Sequence, residues 1–340
     1  MTAGHSGVKG NEGDKRMKLL KNPRGRGGLI VSIAAVLAVA SLNAAPSECG
    51  AAAGPACAKR VNHVVLIGID GLGARNIPWE KMPNLAKLRK RGKYTVGRCL
   101  FPTSSGTNWA SALFGTTPDM HGVIDTTPGV QPAVTTKKGK PPCIFSEIRR
   151  QEPSAFTCSL YNWSYICNYY EKTDVSCDRC YNDKFTHEQE SAYTDEFIKD
   201  ILPRKPRFSF LYYGSVDETG HFKGGWNSPA YNAACADVDK LVGRVVEAVD
   251  AAFPNDVAIV VVADHGGHDG GHGDVELATY EIPFLVSAPG LDGFAFRDPF
   301  IICDVAPTVA WLLGMEIPEC WRGRPALRRV CGKATKGNGK

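Results

Sequence analysis

Three short apolar runs in this chain lead into aspartates, and the third continues into a loop rich in glycine and histidine. The first two are Val64-Val65-Leu66-Ile67-Gly68-Ile69-Asp70 and Phe208-Ser209-Phe210-Leu211-Tyr212-Tyr213-Gly214-Ser215-Val216-Asp217. The third, Ala258–Ala263, is followed by Asp264-His265-Gly266-Gly267-His268-Asp269-Gly270-Gly271-His272-Gly273-Asp274. β-Branched and aromatic runs of this length read as buried strands, the second ending at Asp217. Between them lie helical segments, the clearest spacing Val238, Leu241, Val242, Val245, Val246 and Val249 at helical period. Such alternation predicts a largely parallel α/β sheet, whose ligands sit beyond the carboxyl ends of its strands. Carboxylates and histidines brought to one edge predict a metal site.

Other elements follow from local signals. Pro83-Asn84 opens a helix that Gly92 stops, Tyr94–Leu100 is a strand, and Asn108–Phe114 is a helix stopped by Gly115. A helix covers about 188–201, a strand Ile282–Ser287, and Asp304 caps a last helix ending at Gly314. Residues 125–185, rich in turn residues, aromatics and cysteines, read as an insertion on the outside of the sheet. Residues 45–60 read as a linker, 61–327 as the catalytic domain, and 328–340 as a disordered basic tail.

The net charge of +5 is local, because residues 1–44 carry seven Lys/Arg against two Asp/Glu. The rest is neutral, which argues against nucleic-acid binding by bulk charge. Lys18, Lys21, Arg24 and Arg26 precede the apolar run Leu29–Leu42 and then Asn43-Ala44-Ala45-Pro46. This is the order of a secretory signal, with an uncleaved anchor as the alternative, and it predicts a secreted or lumenal protein. A fourteen-residue run is short for a membrane span. All twelve cysteines follow that segment, and their even number predicts disulfides in an oxidising compartment. Asn162-Trp163-Ser164 is the one glycosylation sequon.

Six residues form the candidate ligand set: Asp70, Asp217, His221, Asp264, His265 and His272. Carboxylates with imidazoles are a common zinc set, and six ligands suffice for two ions of three each. The loop glycines allow His272 to fold back toward the sheet edge. His268 is the rival to His272, while His63, His121 and His187 read as structural. The stretch Phe101-Pro102-Thr103-Ser104-Ser105-Gly106-Thr107-Asn108-Trp109 lies between a strand and a helix. A hydroxyl at a helix start sits among free amides that favour phosphate, and a simple N-cap is the bland alternative.

The ordered motifs Ile69-Asp70-Gly71, Pro102-Thr103-x-Ser105-x-x-Asn108, Asp119-x-His121-Gly122, Asp217-x-x-x-His221, Asp264-His265-Gly266-Gly267 and Gly271-His272-Gly273 resemble one known family. It is the nucleotide pyrophosphatase/phosphodiesterase branch of the alkaline phosphatase superfamily. Asp304-Val305-Ala306-Pro307-Thr308 and Gly323-Arg324-Pro325 resemble its C-terminal signature, so the likeness covers about residues 62–327. The resemblance implies a three-layer α/β/α fold with a mostly parallel central sheet. It also implies two zinc ions, one held by Asp217, His221 and His272, the other by Asp70, Asp264, His265 and the nucleophile oxygen. The nucleophile falls on Ser105, with Ser104 as its neighbour and rival, and the phosphate-binding asparagine on Asn108. The implied reaction attacks phosphorus to give a phospho- or nucleotidyl-serine, which water then hydrolyses.

The substrate expected is a small phosphodiester or nucleotide. Trp163, Tyr165 and Tyr169, with Tyr161 and Tyr170, are candidates for a stacking platform. The alternatives are a phosphomonoesterase or phosphotransferase on the same fold, and a catalytically silent zinc-binding surface protein.

Overall fold

A computed structural model of the chain describes residues 61–124, 141–182 and 184–330. The signal, the linker, Cys49, Cys57 and Cys331, residues 125–140 of the proposed insertion, and 331–340 lie outside the described residues.

The strands are β1 (His63–Ile69), β2 (Lys93–Arg98), β3 (Thr157–Tyr161), β4 (Cys177–Cys180), β5 (Phe208–Tyr213), β6 (Val257–Val262), β7 (Glu281–Ser287), β8 (Phe294–Phe296) and β9 (Leu327–Arg329). Seven form one sheet in the order β2-β7-β6-β1-β5-β3-β4. The β6, β1, β5, β3 and β4 neighbours are parallel, and β7 is antiparallel to both β6 and β2. β1 lies between β5 and β6 with Gly68 opposite both Tyr212 and Val262, so the three strands end level.

Alternate residues of these strands enter opposite cores, as the two-residue period requires. Val64, Leu66, Phe210 and Val260 face one core, and Val65, Ile67, Leu211 and Val261 the other. The helices are α1 (Pro83–Arg91), α2 (Ser105–Phe114), α3 (Pro118–His121), α4 (Ile144–Gln151), α5 (His187–Glu196), α6 (Ser215–Phe222), α7 (Pro229–Ala252), α8 (Leu277–Tyr280) and α9 (Val305–Leu313). α2, α4 and α9 pack on the first face; α1, α5 and α7 pack on the second. This is the expected three-layer α/β/α arrangement.

Several expectations are corrected. Residues 141–182 are not carried outside the sheet: β3 and β4 extend it beyond β5. The β5 strand stops at Tyr213, so Asp217 stands in the first turn of α6 rather than at a strand end. Residues 328 and 329 belong to β9, paired with β8, rather than to a tail. The Asp304 side chain caps nothing in α9; it accepts from the Ile301 and Arg324 amides. Six of the nine described cysteines are buried, on different elements. Among the described residues no helix is long and apolar enough to cross a membrane.

The sequon is also spent inside the fold. Asn162 is fully buried and its amide donates to Glu190 Oε1 at 3.1 Å and to the Lys184 carbonyl, which leaves no room for a glycan. Glu190 also accepts from the amide and hydroxyl of Ser215 at 2.9 and 2.6 Å, fixing the start of α6. Burial pushes its carboxyl up to about 7. The unfolded chain releases this proton near the ordinary value of 4.5. Stability therefore falls as pH rises between those values, by about 3 kcal/mol. Thermal melts across pH 5 to 7.5 should show that fall in the native protein and its loss in Glu190→Gln.

Candidate metal centre

Four elements deliver the predicted residues to one edge. Asp70 directly follows β1, Asp264 and His265 follow β6, and Asp217 and His221 stand one turn apart on α6. His272 comes from the loop between β6 and α8, and Ser105 opens α2. Gly71 turns the chain with φ +68°, and a Cβ there would lie 2.7 Å from Asp217 Oδ1. Only glycine combines that conformation with that approach. Its amide meanwhile donates to Asp264 Oδ1 at 3.1 Å.

The six residues fall into two groups. In one, ligand atoms of Asp217, His221 and His272 lie within 4.8 Å of one another; in the other, those of Asp70, Asp264 and His265 do. The groups touch, because the His265 and His272 rings stack at 3.7 Å. All three imidazoles face a backbone carbonyl through Nδ1: His221 with Gly270 at 3.0 Å, His265 with Gly266 at 2.9 Å and His272 with Thr103 at 2.9 Å. A carbonyl can only accept, so each Nδ1 carries the proton and each Nε2 offers a lone pair. Metal-binding histidines are oriented in this way. Each Nε2 lies beside a carboxylate of its own group, His221 at 3.4 Å from Asp217, His265 at 3.2 Å from Asp264 and His272 at 3.8 Å from Asp217.

The electrostatics favour a cation. Burial and the charge of Asp70 push the Asp217 and Asp264 carboxyls well above their ordinary range. Burial, then the flanking imidazoles His265 and His221, lowers His272 to about 2, and burial lowers His265. The histidines therefore supply no compensating charge. Among the described residues no lysine or arginine pairs with any of the six. Asp217 Oδ1 and Asp264 Oδ2 are buried with no hydrogen-bond donor, one orphan in each group. Buried carboxylates left this way are costly unless paired or bound to metal. The residues fit two divalent ions, one in each group.

Ser105 Oγ lies 3.0 Å from His265 Nε2 and 3.4 Å from Asp70 Oδ1. Ser104 faces away, its hydroxyl 3.2 Å from Thr107 Oγ1. Asn108 does not do what the resemblance implied. It is fully buried, and its Nδ2 donates to the carbonyls of Leu100, Pro102 and Ser104 at 3.0, 3.2 and 3.1 Å. Its Oδ1 accepts from the Leu100 amide at 2.7 Å. The side chain is spent in knotting the loop that presents Ser105, leaving nothing for a phosphate. Asn108→Ala should therefore cost about 3 kcal/mol, since several buried backbone groups lose partners. Urea unfolding would measure that loss.

The aromatic candidates separate. Tyr169 is buried, donates to the Gly106 carbonyl at 3.1 Å and meets Phe114 edge-on, so it is core rather than platform. Tyr161 and Tyr170 are also buried. Trp163 and Tyr165 are half-buried, stack at 5.0 Å, and continue onto Tyr212 at 6.2 Å. Tyr212 is a site residue that the sequence pattern did not single out. Its hydroxyl donates to Asp70 Oδ2 at 2.5 Å, beside Trp109 Nε1 at 2.9 Å. Trp226 was also missed; it stands edge-on to His221 and His272 and donates to the Gly71 carbonyl.

The other histidines stand apart. His121 bonds Ser111 and is lowered by burial to about 4, and His63 stacks on Phe253. His187 opens α5. His268 lies outside both groups, its Nε2 2.7 Å from Asp274 Oδ2.

The profile of the family described as type I phosphodiesterase / nucleotide pyrophosphatase matches residues 64–281. The ectonucleotide pyrophosphatase/phosphodiesterase family member 1 of Mus musculus is 26% identical over 230 residues, 61% of this chain and 24% of that protein. A 2,3-bisphosphoglycerate-independent phosphoglycerate mutase of Rhodopirellula baltica is 34% identical over 140 residues, 39% of this chain and 25% of that one. The chain spans about a quarter of the length of these relatives. Murine ectonucleotide pyrophosphatase/phosphodiesterase 5 superposes with a TM-score of 0.59 at 16% identity, over 78% of this chain and 100% of that structure. BT1596, a 2-O GAG sulfatase, gives 0.61 at 13% identity, over 78% and 73%. Identities this low show a shared fold.

Proposed function

Because this chain belongs to the type I phosphodiesterase / nucleotide pyrophosphatase family of the alkaline phosphatase superfamily, we propose that it hydrolyses phosphodiester or pyrophosphate bonds through a covalent intermediate on Ser105. One observation carries the reading: Ser105 Oγ faces Asp70 and His265 at the place where the two ligand groups meet. Asp70, Asp264, His265 and Ser105 would hold one ion, and Asp217, His221 and His272 the other. Bound there, zinc would supply Lewis acidity, favouring the ionised serine and water and the departing oxygen.

The chain's own groups do the rest. Without an ion the Ser105 hydroxyl donates to His265 Nε2; an ion bound there would take that lone pair instead, with the ring still oriented by its Nδ1 proton on the Gly266 carbonyl. Free amides in the first turn of α2 would take the phosphate oxygens, the part first assigned to Asn108. Ser105 Oγ forms the new bond to phosphorus as the ester oxygen leaves, and water then takes the phosphoryl group from serine. Among the described residues no lysine or arginine pairs with the six ligands, which suits a diester, since it carries less charge than a monoester. The outer face of Tyr165, stacked on Trp163, would receive a flat or apolar substituent such as a nucleoside base.

Bis(p-nitrophenyl) phosphate and p-nitrophenyl phosphate, compared with and without chelator, test this. Faster hydrolysis of the monoester would overturn the diesterase reading. Chelator-insensitive hydrolysis would overturn the metal assignment. The likeness to phosphoglycerate mutases favours phosphoryl transfer as the second reading, and interconversion of phosphoglycerates would reveal it. From the basic and apolar order of residues 18–46 we also propose export. N-terminal sequencing of the mature protein checks it.

A further inference from the structure

Two cysteines stand side by side in the central sheet. β3 and β4 run parallel, and their register sets Cys158 opposite Cys177. Both side chains enter the second core, so they lie on one face of the sheet. Adjacent strands are about 4.7–4.9 Å apart, within the span of about 4.4–6.8 Å that a disulfide bridges between Cα atoms. Cys158 is fully buried and Cys177 is 5% exposed.

The neighbouring cysteines face elsewhere. Cys180, three residues further along β4, points to the other face and lies opposite Tyr161. Cys167 packs against the first core. Cys235 shares the second core, but it stands on α7 with its thiol against Tyr231.

Resting on the export proposed above, we propose that Cys158 and Cys177 join as a disulfide when the chain folds in an oxidising compartment, tethering β4 to β3. The oxidant is another disulfide, that of oxidised glutathione or of a folding catalyst. One thiolate attacks the oxidant's S–S bond and releases a first thiol. The second thiolate then displaces the other oxidant sulfur, forming the Sγ–Sγ bond and releasing a second thiol. The two released thiols carry away both protons and both electrons. Burial pushes the Cys158 thiol up to about 12 and also raises Cys177. The exchange therefore belongs to the stage before β4 docks, while both thiols can still ionise. β4 has four residues and, at the edge of the sheet, only β3 beside it. The bond closes residues 159–176 into a loop, the segment that carries Trp163 and Tyr165.

Peptide mapping of the full chain tests the pairing, with thiols alkylated under denaturing conditions and trypsin added without reductant. The exported protein should yield residues 151–172 joined to 173–179, two hydrogens lighter than the separate thiol peptides together. Fragmentation should place the bond on Cys158 and not on Cys167. Alkylated Cys158 and Cys177, or a bond from either to another cysteine, overturns the proposal. The full chain refolded in a glutathione redox buffer gives the same readout without export, so failed export and failed pairing are told apart. The tether is read from melting temperatures. The double variant Cys158→Ala/Cys177→Ala should lose about 5–10 °C more in the oxidised protein than in protein refolded with dithiothreitol. Equal losses in the two states overturn the tether.

Discussion

Ser105→Ala is expected to lower hydrolysis of bis(p-nitrophenyl) phosphate by about four orders of magnitude, the scale on which enzymes lose an attacking group. Bound metal should stay near the wild-type amount, because each group keeps two carboxylate or imidazole donors besides its third. The fold should hold, since Ser105 Oγ contacts only His265 and Asp70. Ser104→Ala is the control: its hydroxyl bonds Thr107 and Pro102 on the far side of the loop. Full activity in Ser105→Ala, with loss in Ser104→Ala, would move the nucleophile by one residue. Metal analysis beside the rate measurement separates a lost nucleophile from a lost site.

Chelation should cost stability as well as activity, and increasingly so at higher pH. Without cations, Asp217 and Asp264 hold their protons in the fold because burial and the Asp70 charge raise them. The unfolded chain ionises both near the ordinary carboxylate range, so the metal-free fold loses stability as pH climbs from there through the raised values. Bound ions replace those protons, which reverses the penalty at neutral pH. Metal present at about a thousand times its dissociation constant adds about 4 kcal/mol. That corresponds to about ten degrees in melting temperature for a domain of this size. Melts at pH 5.5 and 8, with and without chelator, should show the larger difference at pH 8. Asp264→Asn should shrink it by easing the charge crowding.

The ligands were legible because each is tied to a feature that leaves a linear trace. Asp70 and Asp264 follow buried runs that can only be central strands, and level strand ends bring them together. The i, i+4 spacing of Asp217 and His221 fits a helix, whereas the strand was expected to run on to Asp217; only the place where β5 stops decides between them. Asn108 shows the limit. An amide one turn into a helix can face a ligand or fold back on its own loop, and which it does depends on where the Leu100, Pro102 and Ser104 carbonyls point. Tyr212 and Trp109 looked like ordinary core aromatics because their polar tips matter only through Asp70, distant in sequence from both. The loop glycines were expected to bend the backbone, yet a Cβ at Gly267 would instead strike the Trp226 ring at 2.3 Å.

The two donors on Asp70 Oδ2 bear on which ion the protein can accept. With Trp109 and Tyr212 occupying that oxygen, Asp70 offers a cation only Oδ1. Asp264 is limited in the same way, since Oδ1 already takes the Gly71 amide and only Oδ2 is free. Two single oxygens, the His265 nitrogen and the Ser105 hydroxyl make four donors, the number a zinc ion takes. Calcium seeks about six to eight oxygens and favours two-pronged carboxylates. A tryptophan and a tyrosine that never touch the ion would thus enforce its selection, by making each carboxylate bind with one hand.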